Sequence, residues 1–276
     1  PMHSPAHRAL MVAVPAYNCS AQIQRVIRQF TPEIAPLFTE LVVIDNQSRD
    51  DTIAKALEAA QDCTTLPVTV LRNVENYSLG GTHKVAFQRC LDRGHDGVVI
   101  LHGDDQGRIA DFAGLHDMIA ANDPDCVLGA RFMTGADLTG YAAFRVFGNH
   151  VFNALYTACT LHRVYDMGSG LNYYSRALIE RGVHTKMPDD LTFNNCMLLA
   201  TYAAKAKVAF APISWREEDQ VSNAKLVNQS LKLLKYLWLY LTNRQALLNS
   251  DFRETPRADY PSERQGGNAL SDDLGQ

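Results

Sequence analysis

The chain has 276 residues, 46% hydrophobic and 20% charged, with a formal net charge of −4. That apolar share can fill a core and excludes a disordered or low-complexity chain. The mild negative charge excludes a nucleic-acid binder with a broad basic face. Six cysteines lie far apart with no Cys-x-x-Cys pair, so free thiols in a reducing cytoplasm are expected, not a zinc knuckle or a disulfide framework. The opening Pro1-Met2-His3-Ser4 lacks the apolar run of an export signal, and no apolar stretch reaches the length of a membrane span.

Along the first half, β-branched continuous runs at Ala9–Pro15, Leu41–Ile44, Val68–Leu71 and Val98–Leu101 read as strands buried on both faces. Helical patterns fall between and after them, at Gln22–Phe30, Thr52–Ala60, Gly81–Leu91 and Ile109–Ala121, and a fifth strand follows at Cys126–Ala130. This alternation predicts an α/β fold with a mostly parallel central sheet flanked by helices. The second half is less regular: a helix over Phe144–Leu161, a strand at Leu171–Tyr174, a helix over Leu191–Ala204, a strand at Val208–Trp215 and a helix over Lys225–Leu241. From Glu254 the chain turns polar, with Pro256, Pro261, Gly266 and Gly267, and residues 254–276 read as a mobile tail.

In open α/β sheets, ligands sit beyond the carboxyl ends of the strands. Four successive strand ends here carry polar residues. They are Pro15-Ala16-Tyr17-Asn18, then Asp45-Asn46-Gln47-Ser48 with Asp50 and Thr52, then Arg72, Asn73, Asn76 and Gly80-Gly81, then His102-Gly103-Asp104-Asp105-Gln106. Singly, several have a plain structural reading. Asp50 and Thr52 suit a helix cap, Gly80-Gly81 a helix start, and Asn18 a turn. The fourth run packs poorly after an apolar strand, but its oxygen ligands suit a divalent cation bridging to a substrate diphosphate. Gly103 lets the backbone turn tightly there.

These segments, together with Gly129-Ala130-Arg131 and Asp166-Met167-Gly168-Ser169-Gly170-Leu171, resemble a family-2 glycosyltransferase of the GT-A (Rossmann-like) nucleotide-sugar-binding fold. Within that family the likeness is to the polyprenyl-phosphate glycosyltransferases, of dolichyl-phosphate mannose synthase type, and it runs roughly from Leu10 to Asn228. The resemblance implies an inverting transferase that takes a sugar from a nucleoside-diphosphate sugar, in cell-envelope or surface glycan biosynthesis. It places Pro15, Tyr17, Asn18, Asp45, Asn76 and Gly80 at the nucleotide, and Arg131 on the diphosphate. It implies Mn²⁺ or Mg²⁺ on Asp104 and Gln106, with His102 or Asp105 assisting. Asp166, Ser169 and Arg216 fall near the donor sugar or the acceptor. One domain over 1–224 is implied, with a donor half at about 9–131 and an acceptor half at about 132–224, followed by an amphipathic region at 225–253. The sequence departs from the family pattern at Asn46-Gln47, where Asp-Gly is common, at His102, where an acid opens Asp-x-Asp, and at Asn172, where Arg often stands.

The acceptor stays open. The resemblance points to a polyprenyl phosphate, which needs no base. A saccharide or small-molecule hydroxyl does need one, and Asp190 is the candidate. Asp189-Asp190 read equally as acids favoured at a helix N-terminus. Arg216 reads either as a phosphate contact or as part of a surface network with Glu217, Glu218 and Asp219, and the polar run to Asn223 is compatible with a lid. Val227, Leu231, Leu234, Trp238 and Leu241 form one apolar stripe, which suits packing on the domain, a homodimer contact or a membrane interface. A cytoplasmic enzyme is expected, at the inner face of the membrane if that stripe docks. A nucleotidyltransferase and a non-catalytic nucleotide-sugar binder are the other readings. No Gly-x-Gly-x-x-Gly follows the first strand, which disfavours a dehydrogenase.

Overall fold

The computed structural model describes residues 8–140, 143–216 and 226–272. In chain order the elements begin β1 (Leu10–Ala16), α1 (Ile23–Arg28), β2 (Glu40–Asp45), α2 (Thr52–Asp62), β3 (Val68–Asn73), α3 (Ser78–Asp92), β4 (Gly97–Leu101), α4 (Phe112–Asn122) and β5 (Cys126–Ala130). Then come β6 (Asp137–Thr139), α5 (Ala143–Thr160), β7 (Leu171–Ser175), α6 (Arg176–Glu180), α7 (Phe193–Ala203), β8 (Val208–Pro212) and β9 (Ser214–Arg216). The last elements are α8 (Leu226–Thr242), α9 (Arg244–Asn249), β10 (Ser262–Gly267) and α10 (Ala269–Asp272).

Eight strands form the main sheet, in the order β10-β3-β2-β1-β4-β7-β5-β8. β3, β2, β1 and β4 run parallel, as do β5 and β8, while β7 lies antiparallel between β4 and β5. Every residue of β1, β2, β4, β5 and β7 is buried, because helices cover both faces of the sheet. One core layer packs Ile23, Val26 and Ile27 of α1, Ala56 and Ala59 of α2, and Phe112 and Leu115 of α4. The opposite layer packs Phe87 of α3, Tyr156 of α5, Phe193 and Met197 of α7, and Tyr236 and Tyr240 of α8. This is the α/β architecture that the alternating pattern predicts.

Strand order reverses between β1 and β4, and such a switch point opens a crevice at the carboxyl ends. There Gly103 N donates to Pro15 O at 3.0 Å. A Cβ on Gly103 would stand 3.1 Å from both Ala16 Cβ and Pro15 O, so the glycine serves close approach of two strand ends.

Two expectations need correction. The strand expected over 208–215 breaks at Ile213: β8 pairs with β5, and β9 pairs with β6 in a separate ribbon. The expected tail is instead built into the sheet. β10 runs antiparallel to β3, and Asn268 accepts from Val68 N and donates to Cys63 O and Leu66 O. β3 without β10 would expose a row of unpaired backbone groups, and a polar strand with one wet face covers it. Residues 273–276 of that expected tail lie outside the described residues.

Three imidazoles, His83, His102 and His184, make the fold acid-sensitive, each held well below its ordinary value by burial. His83, fully buried in α3, is held down to about 3 by burial, with His102 adding to the effect. His184, packed edge-on against Phe87, is held down to about 4 by burial and then Lys84. Below the ordinary imidazole value the unfolded chain takes up protons that the folded chain refuses. Stability is therefore full above about pH 6.5 and falls toward pH 4, by roughly 1 kcal/mol per histidine per pH unit. Urea unfolding from pH 7 to 4.5 measures this, and His184→Leu should flatten the decline by about a third, since His83 and His102 keep their share.

Candidate active site

A cleft of about 840 Å³ opens at the switch point. One wall is Pro15, Ala16, Tyr17 and Cys19 after β1, Asn46 after β2, and Asn76, Ser78, Leu79 and Thr82 at the start of α3. The floor is His102, Gly103, Asp104 and Gln106 after β4, with Arg131 after β5. The opposite wall comes from α5 (Arg145, Asn149, Phe152), the turn and helix at Asp190, Leu191, Asn194 and Asn195, and α8 (Gln229, Ser230, Leu233).

The four strand-end loops each hold a non-glycine residue in the left-handed region: Asn18 (φ 52°), Gln47 (63°), Ser78 (57°) and Asp105 (58°). Such backbone costs on the order of 1 kcal/mol per residue and persists only when neighbours fix it. Here the loops fix one another. Asn18 N donates to Ser48 Oγ, and its Oδ1 accepts from Arg49 N, both at 2.9 Å. Asn46 Oδ1 accepts from Asn73 Nδ2 and Tyr77 N, while Asn46 Nδ2 donates to Asn76 Oδ1. Asn46 thus ties the end of β2 to the loop before α3.

Three of the residues expected at the nucleotide lie in or behind that lacing. Asn18, Asp45 and Gly80 are not among the residues that line the cleft. Asn18 is the turn that joins two loops. Asp45 is fully buried, accepts from Ser48 N and lies 3.6 Å from Arg72 Nε. Gly80 lets α3 approach the turn before α7: its N donates to Asp189 O, and a Cβ would stand 2.4 Å from Pro188 O. Pro15, Tyr17 and Asn76 do line the cleft, and the Tyr17 side is 45% exposed.

On the floor, Asp104 accepts from Gln106 N and has no ion pair among the described residues. Burial pushes its pKa up to about 6, with the Asp105 charge adding and the Gln106 N–H opposing. A carboxylate with no ion pair among the described residues, in a cleft that Gln106 also lines, fits a divalent cation, and the Arg131 charge opposes burial only in part. No cluster of three His, Cys, Asp or Glu side chains suited to a metal occurs among the described residues. Substrate oxygens and water would therefore complete the shell, as is usual for Mg²⁺ and Mn²⁺. His102 is packed rather than free. Its ring stands perpendicular to His83 at 5.7 Å, a Cβ on Gly170 would touch it at 3.0 Å, and burial and then Arg131 hold it neutral, at about 4. Asp105 turns away to Arg25 (2.7 Å) and Arg216 (3.3 Å).

Arg131 lines the cleft from a fixed position. Its Nε meets Asp166 Oδ2 at 2.7 Å, its Nη2 meets Oδ1 at 2.9 Å, and its backbone N donates to Oδ2. The guanidinium lies 5.0 Å from the Trp215 ring centre. Asp166 also accepts from Met167 N and Gly168 N and is 1% exposed, with its carboxyl held below the usual range despite burial, by Arg131 and these N–H groups. Asp166 is thus behind the wall, holding Arg131, and is not itself in the cleft. Ser169 donates to Leu171 O and Asn172 Oδ1 beside a closed void of about 10 Å³, room for one water. Arg216 is bound to the Asp105 loop and is not among the residues that line the cleft. Its expected partners at 217–219 and the expected lid to Asn223 lie outside the described residues.

The neighbouring acids divide. Asp189 pairs with buried Lys84 at 2.6 Å and accepts from Tyr260. Asp190 lines the cleft, accepts from Thr192 N and pairs with Lys232 of α8. Lys232 and Thr192 outweigh burial and hold Asp190 below the usual carboxylate range. Sequence reasoning missed the carboxamides opposite: Asn149, Asn194, Asn195 and Gln229. Asn194-Asn195 had a visible signal, two amides on a helix otherwise buried and apolar, and Asn194 Oδ1 has no hydrogen-bond partner.

A doubly wound sheet with a polar cleft at its switch point defines an α/β protein with its ligand crevice at the strand ends. The chain belongs to glycosyl transferase family 2, whose sequence profile matches residues 11–183. The fold is similar to crystal structures of glucosyl-3-phosphoglycerate synthase from Mycobacterium tuberculosis. The complex of that enzyme with UDP shares 19% identity at a TM-score of 0.61, over 85% of this chain and 80% of that one. Its complex with Mn²⁺, UDP and glucosyl-3-phosphoglycerate shares 18% identity at 0.61, over 98% and 94%. An uncharacterized protein, MT1568, of Mycobacterium tuberculosis (strain CDC 1551 / Oshkosh) is 32% identical over 104 residues, which is 37% of this chain and 30% of that relative's length.

Proposed function

We propose that the protein is an inverting, metal-dependent glycosyltransferase that moves a sugar from a nucleoside diphosphate to a hydroxyl of a saccharide-like acceptor. One observation carries this reading: one cleft is lined by Asp104, a carboxylate with no ion pair among the described residues, and by Asp190, a carboxylate held below the usual range on the same wall as the carboxamides Asn149, Asn194, Asn195 and Gln229. Pro15, Tyr17 and Asn76 bound the nucleotide end. Arg131 presents a preset guanidinium to the diphosphate, its orientation already fixed by Asp166. Asp104 and Gln106 would hold Mn²⁺ or Mg²⁺, which when bound would supply further positive charge for the leaving diphosphate. Asp190 accepts the acceptor's proton as its oxygen closes on the anomeric carbon from the face opposite the leaving group. Amides and Ser230 suit the hydroxyls of a sugar. The likeness to an enzyme solved with Mn²⁺, UDP-glucose and phosphoglyceric acid supports the donor and metal assignment.

A second reading, transfer to a polyprenyl phosphate, is favoured by Arg145 on the acceptor wall and by the outward apolar face of α8. Against it, the Asp190 carboxylate would face an anion, and such an acceptor needs no base. Asp190→Asn separates the two. With a saccharide acceptor, kcat should fall about 10²–10⁴-fold while donor affinity holds. Undiminished turnover of the variant, with a polyprenyl phosphate as the sole working acceptor, would refute the hydroxyl mechanism.

A further inference from the structure

α8 has two unlike long faces. Tyr236, Leu237 and Tyr240 are buried in the core, and Leu233 faces the cleft. On the opposite side Leu231, Leu234, Trp238 and Leu241 are 45–66% exposed at spacings of three and four residues. α5 behaves alike: Tyr156 is buried, with its hydroxyl donating to Leu233 O, while Phe147 and Val151 point outward. Scattered apolar residues on a surface are ordinary, but a row of large ones along one helix is not.

Charge says what covers this face. α5 and α8 contain Arg145, Lys232 and Lys235 and no acidic residue, but Arg145 lines the cleft and Lys232 is paired with Asp190 and Glu254, which leaves Lys235 as the cation of these helices beside the stripe. Lys235 is exposed beside the stripe, and the exposed Arg244 follows at the start of α9. Among the described residues no helix is long and apolar enough to cross a membrane. An amphipathic helix with an exposed Trp and with Lys235 and Arg244 at the edge of its apolar stripe has the chemistry to lie in the plane of an anionic bilayer. We infer that the outer face of α8, with Phe147 and Val151 of α5, docks on an anionic lipid surface. The inner faces of the same two helices line the acceptor side of the cleft, so docking brings that side to the membrane and selects an acceptor whose sugar is carried on a lipid. The substrate class rests on the proposed transfer reaction; the docking does not.

The chain's own tryptophans report the event. Of the two, Trp215 is buried and Trp238 is 66% exposed. Vesicles of phosphatidylcholine with phosphatidylglycerol should pellet the protein and shift its Trp emission to the blue, and vesicles of phosphatidylcholine alone should do so at least tenfold more weakly. Trp238→Phe should remove the shift and retain binding. Leu234→Glu/Trp238→Glu should keep its Tm, since both residues are exposed, and lose binding at least tenfold, while Val74→Glu, at another exposed apolar residue outside both helices, binds as before. Equal binding to neutral vesicles, or no binding to either, would overturn the inference. So would a homodimer that Leu234→Glu/Trp238→Glu splits without vesicles mattering. Vesicle binding by a protein that transfers no sugar would leave the docking standing and remove only the substrate class.

Discussion

Asp104→Asn should cut sugar transfer roughly a thousandfold and at the same time raise the melting temperature of the donor-free protein. The loss of activity follows from removing the carboxylate that holds charge against a leaving diphosphate. The gain in stability follows from the same position. Asp104 has no ion pair among the described residues, and burial lifts its pKa to about 6 against the opposing charge of Arg131, so at pH 7 the folded protein holds a carboxylate that would be better solvated in the unfolded chain. Water in the cleft still reaches the group, so the relief is on the order of 1–2 kcal/mol and not the full shift. For a chain of this size that is a few degrees in Tm. Steady-state turnover with Mn²⁺ and a thermal melt without it measure both effects on one sample. A variant that is inactive and also less stable would mean that Asp104 is a structural group.

Asp166→Ala should be the most damaging single change near the cleft. Asp166 is the main partner of Arg131 on the protein side and accepts three of its hydrogen bonds. Truncation leaves a guanidinium, 8% exposed as a residue, without that counter-charge. Breaking a buried pair in this way costs about 3–5 kcal/mol, whereas replacing both partners by apolar residues is often far milder. Chemical denaturation should therefore show Asp166→Leu/Arg131→Met to be more stable than Asp166→Ala alone. Both variants should lose transfer, one by misplacing the guanidinium and the other by removing it. If Asp166→Ala folds with wild-type stability, Arg131 has another anchor and Asp166 does not position it.

The contrast between Asp166 and Asp104 shows what could be read from sequence. Both are acids near strand ends in segments that resemble the family. Nothing local says that Asp166 turns back to a guanidinium 35 residues earlier, because only the sheet order brings β5 beside the turn before β7. The parallel strands were legible, since buried β-branched runs leave little choice of environment. The strand ends were legible as a group for the same reason: polar residues directly after such runs must go somewhere wet or be paired. Which of the two applies is a tertiary matter. Asn18 and Asp45 are paired, while Tyr17 and Asn76 are in the cleft. Asp189 and Asp190 divide in the same way, one to Lys84 and one to the cleft. β10 was missed because Ser262–Gly267 has neither apolar alternation nor β-branched residues, and pairs only because β3 offers a bare edge.

The cleft stands or falls as a donor site on one titration. UDP-glucose and GDP-mannose, each with and without Mn²⁺, are added to wild type and to Asp104→Asn, and the melting temperature is followed. At a hundredfold excess over Kd a ligand of the folded state adds about 2.7 kcal/mol. At least one nucleotide sugar should raise the wild-type Tm by several degrees with Mn²⁺, much less without it, and not at all in Asp104→Asn. No shift from either sugar nucleotide with Mn²⁺, or an equal shift in Asp104→Asn, would contradict a donor site there.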